Sequence, residues 1–349
     1  MSAHSDDINL NEKLFARVKK VYDNRENIKL TPEEKTVLEN IYKRFVNSGA
    51  ELSETEKEKL RELNQQLSML ELTFSQNLLH ETNNTFVVAN SLEELKGLPQ
   101  ANIDAAAKMA ADNGQPGKWM FNMQRPSCNP VLQYCENRDL RKKVYDAYYN
   151  RGNTGNEYDS KEICRQLVTL RLEKAKLMGY NNYAEMVLED RMAKTPEAVF
   201  ELLDQVWEPA VAKAKEELDD IRAEIRKEGK DFEPAGWDYM YYLDKAKRAK
   251  YSVDEQEIRE YMEINNVMKG VFHVATQLYG VTFKEITADV PAYEPTAKAY
   301  EVIDKDGTVL AIFYSDNYPR ESKRAGAWCT SFRGQSYEGE ERIIPIVVN

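Results

Sequence analysis

The sequence predicts a mainly α protein, with an elongated multi-helix body over residues 1–280 and a small, mostly antiparallel β-sheet over residues 281–349. Three observations predict it. Helix-start signals recur along the body, the apolar residues between them repeat at helical spacing, and past Gly280 the period shortens to that of strands. A composition of 42% hydrophobic and 31% charged residues over 349 positions allows a sizeable buried core with a soluble surface.

The first strong helix signal is Thr31-Pro32-Glu33-Glu34, a capping box with proline at the first helical position. Val37, Leu38, Ile41, Tyr42 and Phe45 follow one face, and Gly49 closes it. Ser53 and Glu56 open a second helix, striped by Leu60, Leu63, Leu67, Leu70, Phe74 and Leu78. The stripe is nearly heptad, but Met69 and Leu72 widen it, so the reading is a packing helix rather than a coiled coil. From Phe86 the pattern loosens, and residues 118–123 read as a short strand. Helical segments follow over 130–150 and 161–178, the second stopped by Gly179.

Thr195-Pro196-Glu197 starts a very long helix ending near Gly229, which Pro209 is expected to kink or break. WDYMYYLDKAKRAKY, residues 237–251, reads as a helix with an aromatic packing side and a solvated basic side. Ser252 with Glu255 reads as a third capping box, leading one helix to Gly280. Beyond it, residues 281–286, 299–303 and 309–314 read as strands, the last two joined by the turn Asp304-Lys305-Asp306-Gly307. Residues 326–332 and 343–348 complete the expected sheet.

Composition excludes several function classes. A net charge of −11 repels phosphate backbones, so no nucleic acid is expected as a partner. No apolar run approaches the roughly 20 residues a bilayer span needs, so no membrane is expected either. The N-terminus MSAHSDDINL is polar and acidic, unlike a secretory signal. Cys128, Cys135, Cys164 and Cys329 form no CxxC pair and read as free thiols of a reducing compartment, which points to the cytoplasm.

A hydrolytic zinc site needs three ligands, most economically HExxH on one helix face. The single His-Glu pair, His80-Glu81, has no second histidine one turn on. His80 reads as a residue near a helix end, His273 as a satisfied core residue on an apolar face, and His4 as part of a frayed terminus. There is no P-loop, no GxGxxG and no GxSxG. The residues themselves therefore give a helical body with a small sheet, no catalytic residue and no metal ligand.

Four stretches together resemble one family. They are WDYMYY (237–242), YMEINNVMKGVFHVATQLYGVTF (261–283), AYEVIDKDGTVLAIFYSDNYPRESKRAGAWC (299–329) and, more loosely, RLEKAKLMGYNNYAEMVLEDRMAKTPEAVFELL (171–203). They are similar to the thimet oligopeptidase family of zinc metallopeptidases, and most of all to its bacterial peptidyl-dipeptidase branch. Met262 and Cys329 depart from the residues common there without touching chemistry.

The resemblance implies a partial metallopeptidase fold and a zinc-dependent hydrolase of short peptides that releases C-terminal dipeptides. It places HExxH and a later Glu ligand downstream of Asn349, so this chain is expected to be an internal fragment. Zinc would then be the cofactor of the full-length enzyme, this chain alone would bind none and be inactive, and its partner would be the downstream catalytic segment. The resemblance also makes Gly326-Ala327-Trp328 the candidate substrate-binding residues, a strand edge that pairs with an extended peptide. Gly326 permits close backbone approach; the competing role for Trp328 is packing under the sheet. Arg320, Lys323 and Arg324 form a basic cluster, either a solvated loop or a receptor for a peptide carboxylate. The alternative function is a free-standing helical peptide-binding or scaffold module without catalysis. A further alternative is a non-zinc enzyme using Cys329 or a carboxylate pair.

Overall fold

Four helices open the chain: α1 (Ser2–Asn9), α2 (Glu12–Asp23), α3 (Pro32–Asn47) and α4 (Glu54–Asn84). The computed structural model describes residues 2–252, 254–324 and 326–349. The capping boxes expected at Thr31 and Ser53 are present. Thr31 Oγ1 accepts from the Glu34 amide while the Glu34 carboxylate accepts from the Thr31 amide, and Glu56 accepts from both the amide and the hydroxyl of Ser53. Along α4 the leucine stripe changes role. Leu60, Leu63 and Leu67 are buried against neighbouring helices, whereas Phe74 and Leu78 are half-buried beside a cavity.

The stretch that loosens after Phe86 holds a compact unit. Strands β1 (Phe86–Ala89) and β2 (Trp119–Asn122) pair antiparallel, with α5 (Gln100–Asp112) between them in sequence and packed on β2. Helices α6 (Arg125–Tyr134) and α7 (Arg138–Tyr149) close over it, and Leu95, Phe121, Met123, Cys128, Val131 and Leu140 fill the largest core. The single helical segment expected over 130–150 is thus two helices, because Asn137 accepts from the amides of Asp139 and Leu140 and starts a new one.

Gly97 sits where this unit is tightest. Its φ is +90°, and a Cβ there would lie 2.3 Å from the Tyr134 carbonyl oxygen. Gly97→Ala combines left-handed strain with a backbone clash, and is expected to cost about 3 kcal/mol in a urea titration. A loss below about 1 kcal/mol would show that the 96–97 turn can move away from residues 134–136.

The next helices are α8 (Lys161–Leu177), the short α9 (Tyr183–Leu188) and α10 (Pro196–Lys227). α10 runs through Pro209 without the break that is one of the two outcomes expected there. Every residue from Glu201 to Ala210 is exposed, so water can satisfy the carbonyl that proline leaves without a donor. α11 (Gly236–Tyr251) buries Tyr241 and Tyr242 against Ile221 and Ile225 of α10 and turns Lys247 and Lys250 outward, as its pattern predicts.

The helix expected from Ser252 to Gly280 is also two, α12 (Glu255–Tyr261) and α13 (Ile264–Tyr279). Ser252, at φ +53°, ends α11 instead of capping α12, and Asp254 takes that role by accepting from the Gln256 amide. Val253 and the Glu255 side chain lie outside the described residues. Glu263 caps α13, and Gly280 closes it in the left-handed conformation. His273 is exposed on α13, not a core residue. Phe272 carries the packing of this helix, stacked on Phe283 with ring centroids 4.1 Å apart, while Val271, Val274 and Leu278 stay uncovered around the histidine.

The C-terminal sheet has strand order β3-β4-β5-β9-β6, from β3 (Thr282–Glu285), β4 (Lys298–Ile303), β5 (Val309–Ser315), β6 (Thr330–Arg333) and β9 (Ile346–Val348). All pairs are antiparallel except β5 with β9, which run parallel with Ile312 opposite Ile346. The Asp304–Gly307 turn closes the β4–β5 hairpin, with Gly307 at φ +89°. The strand expected over 326–332 begins only at Thr330. The segment expected as one strand over 343–348 splits between a separate hairpin, β7 (Ser336–Glu338) with β8 (Glu341–Ile343), and the interior strand β9.

Candidate functional site

The C-terminal part of α4, the N-terminus of α6, the end of α7 and the loop after β5 surround a cavity of about 540 Å³. Helical periodicity brings Phe74, Leu78, Leu79 and Thr82 of α4 to one wall. A relay of amides holds the surrounding parts together: Gln124 Nε2 donates to Asn83 Oδ1 at 2.8 Å, and Asn83 Nδ2 donates to the Glu321 carbonyl at 2.8 Å. Arg151 Nη1 donates to Thr82 Oγ1 at 2.7 Å, its Nε to the Tyr148 carbonyl at 2.7 Å, and its guanidinium lies 3.8 Å from the Tyr148 ring centroid.

Two buried carboxylates anchor the loops beside this cavity. Glu81 accepts from the Gly152 amide, from Thr154 Oγ1 at 2.7 Å and from Asn156 Nδ2 at 3.0 Å. Burial alone would raise the pKa of Glu81, and these donors hold it below the usual value. Next to it, His80 stacks on Tyr158 with centroids 3.8 Å apart, and α4 continues four residues past the histidine to Asn84. Asp316 follows β5 and accepts from Tyr293 Oη at 2.8 Å, from Arg320 Nη1 at 2.9 and 2.8 Å, and from Lys323 Nζ at 3.0 Å. Burial raises the pKa of Asp316, but the donors win and leave it lowered, whereas the Tyr293 phenol is pushed up to about 12 by burial and by the adjacent carboxylate.

The basic cluster is therefore divided. Arg320 and Lys323 are committed to Asp316, and Arg324 is exposed at the cavity. Gly326, at φ +126°, also lines the cavity, with open space where a Cβ would project. Ala327 is exposed. Trp328 is half-buried, packs against the sheet core of Ile286, Ala299, Tyr314 and Val348, and has Lys323 Nζ 5.7 Å from its ring centroid. These three residues lead into β6, an edge strand whose residues are all exposed.

The pattern described as Peptidase family M3 matches residues 131–349. The chain belongs to peptidase family M3. It is 35% identical to the dipeptidyl carboxypeptidase of Escherichia coli K12 over 333 residues, covering 95% of this chain and 49% of that protein. It is 34% identical to the Salmonella typhimurium dipeptidyl carboxypeptidase over 350 residues, covering 100% of this chain and 51% of that protein. Oligopeptidase A of Haemophilus influenzae is 33% identical over 299 residues, 84% of this chain and 44% of that protein. The chain spans about half the length of these relatives.

The family M3 match covers every element from α7 onward, and so takes in Asp316, the 316–326 loop and the β6 edge. Among the described residues no group of three or more His, Cys, Asp or Glu side chains is arranged to hold a metal ion. No metal-dependent step is assigned to these residues. The four cysteines are free, with Cys128 and Cys135 buried and Cys164 and Cys329 exposed. Burial pushes the Cys128 thiol up to about 11, which makes it a poor nucleophile near neutral pH. No helix of the described residues is long and apolar enough to cross a membrane.

The cavity itself has no sequence signature. Its wall comes from the second half of a leucine stripe that reads as ordinary packing, and its cations come from positions 125, 151, 323 and 324. The one legible part is the basic cluster before 326.

Proposed function

We propose that this chain forms part of a zinc-dependent peptidase that hydrolyses short peptides and releases C-terminal dipeptides, and that its share of the work is a wall of the substrate cleft. One observation carries the reading: a family M3 chain presents an open edge strand, β6, reached through Gly326-Ala327-Trp328. An extended peptide can add to such an edge through main-chain hydrogen bonds, which need no particular side-chain sequence and suit short peptides of varied composition. Gly326 leaves room for the incoming backbone, and Trp328, anchored in the sheet core on one side, fixes where the edge begins. The zinc ligands belong, in this reading, to the half of the relatives' length that the chain does not span.

The test uses a longer family M3 protein that contains this segment. Trp328→Ala is expected to raise KM for a blocked tripeptide about tenfold with a smaller change in kcat, since the edge binds the peptide and does not react with it. Unchanged KM and kcat would remove Trp328 from the site. The 349-residue chain alone, incubated with zinc, is expected to give no turnover. Stoichiometric zinc with turnover would overturn the division of labour.

A further inference from the structure

The cavity between α4, α6, α7 and the 316–326 loop has a charge pattern at odds with the chain around it. The protein carries a net charge of −11, yet no Asp or Glu lines this cavity, and four cations do: Arg125, Arg151, Lys323 and Arg324. Lys323 is neutralised by Asp316 at 3.0 Å. Arg151 is held by neutral oxygens of Thr82 and Tyr148. Among the described residues, Arg125, Arg151 and Arg324 form no ion pair with a carboxylate. Guanidinium groups without a counter-charge at the wall of one cavity favour an anion inside it. The facing wall is apolar, built by Phe74, Leu78 and Leu79. A volume of about 540 Å³ falls within the range of pockets that hold a small organic ligand, roughly 300–1,000 Å³.

We propose that this cavity binds a carboxylate carried on an apolar body, with the carboxylate toward Arg125, Arg151 and Arg324 and the body on Phe74, Leu78 and Leu79. The guanidinium fork matches a carboxylate in planar, two-point geometry, so carboxylate is the fitting head group. The chemistry has two sources. One is the C-terminal carboxylate of a short peptide ending in an apolar residue, and that source rests on the peptide-cleft reading above. The other is a free aryl- or alkyl-carboxylate.

The test is isothermal titration of the 349-residue chain with N-acetyl-Leu-Phe, its C-terminal amide, and 3-phenylpropionate. The acid is expected to bind at least ~10-fold more tightly than the amide, the difference that one charge-assisted contact makes. The double variant Arg125→Gln/Arg324→Gln changes two exposed side chains and is expected to keep the native circular dichroism while losing that preference. Leu79→Asp, which sets a negative charge on the apolar wall, is expected to abolish binding of the acid. Equal binding of acid and amide, a preference that survives the double variant, or no binding of either carboxylate would overturn the proposal. If 3-phenylpropionate binds as tightly as the peptide acid, the carboxylate site stands and its source is the free carboxylate. If it binds more weakly, the source is the peptide terminus. Trp328 does not line the cavity, so failure of the Trp328→Ala test leaves this titration unaffected.

Discussion

Asp238→Ala is expected to destabilise the chain by about 3–5 kcal/mol, the cost of leaving the buried Arg141 guanidinium without its partner. Asp238 is fully buried and sits between two arginines of one helix face. Arg138 reaches it through Nε and Nη2, the latter at 2.7 Å, and Arg141 through Nη2 at 2.8 Å. Arg141 is itself only 1% exposed, and spends its other donors on the carbonyls of Cys135, Glu136 and Trp237. Asp238 also accepts from the Ala235 amide and so starts α11. Removing it strands a buried guanidinium, uncaps α11 and loosens its grip on α7 together. Asp238→Asn keeps the cap and shape but not the charge, and is expected to cost about half as much.

The acid response of Asp238 follows from the same contacts. Burial raises its pKa, and the Arg138, Ala235 and Arg141 donors more than reverse this, so the folded value lies below the unfolded one. A group lowered on folding stabilises fully above its unfolded pKa, about 3.9 for Asp, and the stabilisation fades as pH falls through the lower folded value. Wild type and Asp238→Ala should therefore differ by the full amount at pH 7 and draw together at acid pH, as it falls below about 3.9. Urea titrations at neutral and at acid pH measure both. A constant gap would mean that Asp238 acts through packing and not through charge.

Residues of this kind mark where the sequence stops being legible. Arg138 and Arg141 lie three apart on a readable helix, but their partner is about a hundred positions away among 59 acidic residues, and no local rule selects Asp238. Local signals fared better. Thr31, Ser53 and Thr195 start helices as expected, and Gly49, Gly179 and Gly280 adopt the positive φ that ends them. Where competing local signals lay close together, tertiary context chose between them, as with Asp254 over Ser252. Helix α5 went unread because Ala106 and Ala110 are its buried residues, and alanine marks no apolar face. His273 looked like a core residue because its neighbours are apolar, yet the sheet covers only the Phe272 side of α13. Gly326, Ala327 and Trp328 could be offered as candidates from family resemblance. The cavity beside them could not, since it is assembled from four separate segments.

Asp316→Asn is expected to act on that cavity from outside it. The carboxylate is fully buried and neutralises Arg320 and Lys323, and its backbone is tied to the end of β9 through the Asp316 amide and the Asn349 carbonyl at 2.8 Å. Asparagine can still accept from Tyr293 but cannot balance two cations, so a loss of about 3 kcal/mol is expected. Because Lys323 and Arg320 pin the loop that carries Arg324 and Gly326, hydrogen exchange over 317–324 should quicken more than exchange in α4. Lys323 would also be left uncompensated at the cavity edge, and the extra positive charge should not tighten carboxylate binding if the loop no longer holds its shape. Like Asp238, Asp316 is lowered on folding, because hydrogen bonds from Tyr293, Lys323 and Arg320 outweigh its burial. Its contribution is therefore complete above about pH 3.9 and is lost on further acidification, so wild type at low pH should show the faster loop exchange that the variant shows at neutral pH. Uniform exchange across the chain in the variant would indicate global loosening and detach Asp316 from any specific hold on the loop.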